Sequence, residues 1–218
     1  MSNDTNPWGE RTTLGGRVDF TMMYAIHDAF TRDLERLALA CVRGTGGTPG
    51  GLTGWTTFTR QLHHHHTVED DALWPRLREK VSRLDEVAVL DDMELEHEQL
   101  APSLKRVDET LRAKHAADLD ESIHDLVSGL GAHMRHEENE ALPLVETRLG
   151  PEGWAAFGNH IRKTQGLRGA AEFFPWLLDG APEATQAKVL GMLPPPIRLL
   201  YRKRWAPKYH RIPRWPTA

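Results

Sequence analysis

Apolar residues recur along four stretches of the chain at alternating steps of three and four, the spacing of a seam down one face of an α-helix. The first seam reads Phe20, Met23, His27, Phe30, Leu34, Leu37, Cys41 and stops at the breaker-rich stretch 44–51, which contains five glycines and a proline. The second reads Phe58, Leu62, His65, Glu69, Ala72, with Leu73 beside it, and Pro75 ends or kinks it. The third reads Val87, Leu90, Glu94, His97, Ala101, Leu104, continues to Leu111, and is predicted to kink at Pro102. The fourth reads Leu119, Ile123, Leu126, Leu130, His133, Glu137 and stops before Pro143. No period-two strand pattern competes, so the pattern predicts an all-α fold, an up-down-up-down four-helix bundle. Residues 149–218 differ in texture, with Trp154, Phe157, Phe173, Phe174 and Trp176 followed by a proline run at 194–196. They predict one or two further helices and then an irregular tail, an extension to a bundle spanning residues 15–148.

Each seam carries polar residues where leucine would be expected. His27 and His97 stand alone on the first and third; His65 with Glu69 and His133 with Glu137 stand four apart on the second and fourth. Residues at i and i+4 share a helix face, so each His-x-x-x-Glu pair presents an imidazole and a carboxylate side by side toward the core. The chain repeats this set: His65 to His133 and Glu69 to Glu137 are each 68 residues apart, and His27 to His97 is 70. Two helical hairpins with the same donors, paired about an approximate two-fold axis, bring six side chains to one level.

Buried carboxylates without a cation carry a desolvation cost of several kcal/mol each, which metal ions remove. Imidazole and carboxylate without thiolate suit iron or manganese, whereas zinc is content with four ligands and gives no reason for a six-ligand double site. Other registers also have i, i+4 spacing, namely His66 with Asp70 and His136 with Glu140. One residue along a helix turns the side chain by about 100°, so seam position selects His65/Glu69 and His133/Glu137. His63, His64, His66 and His136 are then expected to be solvated or to support the donors. Tyr24, one turn before His27, is a candidate to donate a hydrogen bond or an electron near the metals, with a core tyrosine as the alternative. His160 is a further candidate ligand.

These segments resemble the hemerythrin family in its HHE cation-binding form. The resemblance rests on Ile26-His-Asp-Ala-Phe30, on 65–75 (HHTVEDDALWP), on Glu96-His-Glu-Gln-Leu100 and on 133–143 (HMRHEENEALP), and covers residues 18 to 148. It implies a four-helix bundle around an oxo- or hydroxo-bridged non-haem di-iron pair, two iron ions held by His27, His65, Glu69, His97, His133 and Glu137. The oxygen-carrying members supply two histidines from the third helix at i and i+4. Here Ala101 follows His97 by four and Met93 precedes it by four, leaving one iron short of a nitrogen donor. That departure speaks against simple oxygen transport and for a more open centre that handles dioxygen, nitric oxide or peroxide.

Composition narrows the remaining classes. The 218 residues, 39% apolar, suffice for a real core, and a net charge of −4 gives no general affinity for nucleic acid. From Lys188 onward there are eight Lys or Arg and no acidic residue. Interleaved with Tyr201, Trp205, Tyr209 and Trp215, this tail is expected to strap itself onto the acidic bundle, a nucleic-acid or membrane patch being the alternative. The single Cys41 cannot form an internal disulfide, and no leader or membrane span is read, so a soluble, cytoplasmic protein is expected. Three function classes stay open: a binder that senses, stores or detoxifies a diatomic gas, an oxidase- or peroxidase-like enzyme acting on peroxide or a small organic substrate, and a structural or regulatory module in which metal occupancy sets stability. The long extension favours the enzyme.

Overall fold

A computed structural model of the chain describes residues 16–113 and 119–216. The reading of residues 1–15 as lacking a leader lies outside the described residues. Every regular element described is helical. Helix α1 (Thr21–Val42) ends in a paired-carbonyl C-cap: Gly44, at φ 68°, donates its N–H to the Cys41 carbonyl, and the Thr45 N–H reaches Ala40. Helix α2 (Pro49–Ala72) begins with Pro49 in its first turn and with the Thr48 hydroxyl accepting from the Gly51 N–H. It gives way at Leu73 to the short α3 (Trp74–Arg78), as Pro75 requires. Helix α4 (Leu84–Ala113) runs through Pro102, and α5 (Leu119–His136) is strongly amphipathic.

Chain continuity past α5 corrects the expected stop before Pro143. A π-helical turn at Glu137–Ala141 leads through α6 (Leu142–Leu144) and a second π turn (Val145–Leu149) into α7 (Gly150–Leu177). The wider turns shift the hydrogen-bond ladder, so the donor that Pro143 lacks does not end the helical path. The expected irregular tail is likewise mostly helical, with α8 (Glu183–Gly191), α9 (Pro195–Leu200), a π turn (Tyr201–Trp205) and α10 (Ala206–His210).

Helix α1 packs on α2 and α5, and α4 on α5 and α2. Between them lie two apolar cores, separated by a polar layer. The first holds Phe30, Phe58, Leu62, Leu100, Leu126 and Leu130; the second holds Met23, Ala72, Leu73, Leu90, Met93 and Leu142. Along each seam the histidines fall where the chain crosses from one core to the other.

The extension is fastened to this body. Trp176 is fully buried against Phe30, and its indole N–H donates to Asp33 at 2.8 Å. Arg32 donates to Asp33 and to the Trp176 and Asp179 carbonyls, closing the end of α7. Trp215 lies so close over Gly54 that any side chain there would strike its ring. Tyr201, Trp205 and Trp215 are all buried in the first core. No described helix is long and apolar enough to cross a membrane.

Candidate metal centre

The polar layer brings donors together in two groups. In the first, His27 of α1, His65 of α2 and Glu137 at the start of the π turn offer atoms all within 4.8 Å of one another; in the second, His66 of α2, His97 of α4 and His133 of α5 do the same. Glu69 lies between them, one oxygen 3.3 Å from His65 Nδ1 and the other 3.9 Å from His97 Nε2. All six seam residues expected to bind metal therefore gather at one level. The placement of Glu137 in a π turn fits the tendency of such turns to occur where a helix must re-aim a functional side chain.

His66, expected to be solvated or to support the donors, is buried and joins a donor group. It is only 9% exposed and its ring stacks on His97 at 3.9 Å. Adjacent positions about 100° apart can both face inward when the buried stripe of a helix is that wide. His65 and His66 thus diverge from the α2 seam, one to each group.

A ring of carboxylates fixes the histidines. His27 Nδ1 donates to Glu138 at 2.7 Å and His97 Nδ1 to Asp70 at 2.8 Å; His133 and His136 Nδ1 both donate to Glu96 at 2.8 Å. An imidazole whose Nδ1 proton is held by a carboxylate presents a bare Nε2 lone pair inward, the form a metal needs. None of these three carboxylates was read as such from sequence. Each reaches a histidine on another helix, a relation that spacing along one helix cannot display.

The interior is short of protons and partners. His27 Nε2 is 3.0 Å from Glu137 Oε2, and among the described residues no hydrogen-bond partner serves His27 Nε2, His65 Nε2, His66 Nε2 or any carboxylate oxygen of Glu69 and Glu137. Burial and neighbouring imidazoles hold His65 and His66 neutral, well below the usual histidine range. Burial would lower His27 too, but the Glu137 and Glu138 carboxylates push it up to about 9. Burial and the Glu137 charge drive Glu69 well above the carboxylate range, whereas Glu137, despite burial, is held down by His27 and its neighbours. Five imidazoles and two carboxylates, buried and converging on one layer, are a donor set that fits cations.

Tyr24 sits one turn before His27 on α1. Its ring meets Phe20 edge-on at 6.4 Å and packs against the second core. His160 of α7 belongs to neither donor group.

A family model described as Hemerythrin HHE cation binding domain matches residues 18–145. No curated protein and no solved structure matches the chain.

Proposed function

The chain belongs to the hemerythrin HHE cation-binding family, and on that basis we propose that it is a non-haem di-iron protein whose centre binds or activates dioxygen, nitric oxide or peroxide. The observation that carries this reading is the set of buried Glu69 and Glu137 oxygens without partners between two histidine groups. His27, His65 and Glu137 would hold one iron, and His66, His97 and His133 the other, with Glu69 placed to reach both. When bound, the iron pair supplies redox chemistry toward small oxygen- and nitrogen-containing ligands. The protein's part is to hold the histidine Nδ1 protons on Asp70, Glu96 and Glu138, so that each Nε2 faces the metals, and to hold the donor charge in register. The order in which successive helices cross the two cores supports an up-down-up-down bundle over residues 15–148, with residues 149–218 as an extension that walls one side. A free Cys41 suits a reducing cytoplasm.

The test is iron analysis of protein grown with ample iron, followed by visible spectra of the reduced protein mixed with dioxygen or nitric oxide. A saturating spectral change at gas concentrations comparable to the iron content is expected. Iron-replete protein that ignores both gases and added peroxide would refute the reading. Carriage and catalysis separate in the same experiment: a spectrum that reverses on removing dioxygen marks a carrier or sensor, and irreversible oxidation without added substrate marks a centre built for turnover.

A further inference from the structure

Between the bundle and the extension lies a cavity of about 580 Å³, within the usual range for small-molecule sites of about 300–1,000 Å³. One wall comes from α1 and α2, including Met22, Met23, Ile26 and Val68; the opposite wall comes from α7 to α9, including Phe157, Ile161, Phe173 and Ile197. His65 and Glu69 also line it, so the cavity reaches the metal-holding residues. We infer that it binds a lipophilic small molecule, an apolar body carrying one neutral hydrogen-bonding group, and seats that group beside the candidate centre. The inference rests on the function proposed above only for what happens next to the centre; the binding itself does not need it.

Three observations specify the ligand class. First, the lining is mainly apolar and its charged members away from the metal layer are engaged: Asp19 accepts from Thr21 and pairs with Lys188, and Arg162 donates to Asn159. His64 is tied to Gln165 across the cavity wall. A strongly charged ligand would therefore lose its hydration for little return. Second, Gln61 is a polar side chain in the cavity wall, 7% exposed. A buried amide that can both donate and accept suits a hydroxyl or carbonyl, and Gln61 stands one helical turn, about 5.4 Å, before His65. The recognised group is thereby brought to the metal side. Third, Leu167 and Met192, both lining residues, are 62% and 44% exposed and give the cavity an apolar rim facing solvent. Helix α7 breaks beside that rim at Gly166, whose φ of 57° excludes most side chains, and both halves of the helix contribute to the wall.

The probe for the test is Nile red, a neutral lipophilic dye with a carbonyl acceptor, titrated into the full chain as purified while iron content is measured on the same sample. Saturable fluorescence with about one dye per chain is expected. Two substitutions fill the cavity from opposite halves of α7: Gly158→Trp, where an added Cβ meets only the flexible end of Arg162 at 3.6 Å, and Ala170→Trp. In whichever of them keeps the wild-type circular dichroism and iron content, affinity is expected to fall by about tenfold or more. Gln61→Leu, which removes the polar anchor and keeps the volume, is expected to weaken the dye less than either tryptophan. Unsaturable dye partition, or binding that a folded cavity-filling variant leaves unchanged, overturns the inference. Protein that binds the dye but takes up no iron contradicts the proposed function and sustains this one; iron-loaded protein that does not bind it does the reverse.

Discussion

His97 and His133 point their Nε2 atoms at each other across 3.1 Å. Both rings present Nδ1 to a carboxylate, Asp70 for one and Glu96 for the other, which draws the ring protons outward. Two lone pairs then face each other in a buried layer, an arrangement tolerated only when a proton or a cation stands between them. His66 lies against the same pair. The expected consequence is that His66→Ala loses about one of two metals per chain, while His63→Ala, on an exposed ring, loses none. Equal iron in the two variants would remove His66 from the centre.

The carboxylates that hold the Nδ1 protons should matter nearly as much as the donors themselves. Asp70→Asn and Glu138→Gln are each expected to weaken metal affinity by about 10- to 100-fold. Glu140→Gln, on an exposed carboxylate three residues past Glu137, is the control and should leave affinity unchanged. Competition with a chelator of known affinity measures all three.

The pH dependence follows from the same layer. Metal-free protein keeps a proton on His27, whose pKa is pushed to about 9 from 6.5, and burial with the Glu137 charge raises Glu69 in the same direction. A cation needs both groups bare, so uptake should release protons and affinity should fall as pH is lowered through 9. For the metal-free protein the sign is opposite. The charged His27 stabilises the fold fully below pH 6.5, and that contribution is lost as pH rises through about 9. A pH-stat titration of metal into apo-protein reads the first effect, and apo-protein melting across the same window reads the second.

How the sequence carried this site depends on the kind of relation involved. His27, His65, Glu69, His97, His133 and Glu137 were legible because each interrupts an apolar seam, and burial along a seam is a property of one helix alone. His66 was not, because one-residue resolution around a helix depends on how wide a stripe its neighbours cover. Asp70, Glu96 and Glu138 were hidden for a different reason: their partners lie on other helices, and pairing across helices is set by packing. The path through Pro143 was missed because a π turn changes the rule that makes proline a terminator.

The extension was read as a strap, and its energetic weight can be measured. Trp176 is fully buried and bonded to Asp33, while Arg32 ties the adjacent carbonyls. Trp176→Ala is expected to cost about 3–5 kcal/mol in urea denaturation. A cost below about 1 kcal/mol, the scale of a surface substitution, would mean that the extension contributes little to holding the bundle.

The central claim is that Glu69 and Glu137 tolerate full burial because metal ions tie them. Iron per chain, measured on protein from iron-rich growth and on Glu69→Ala and Glu137→Ala, tests it most directly. The account expects about two irons in the wild type and a sharp fall in both variants. Wild-type protein from iron-rich growth that carries no iron, or variants that keep their full complement, would contradict it.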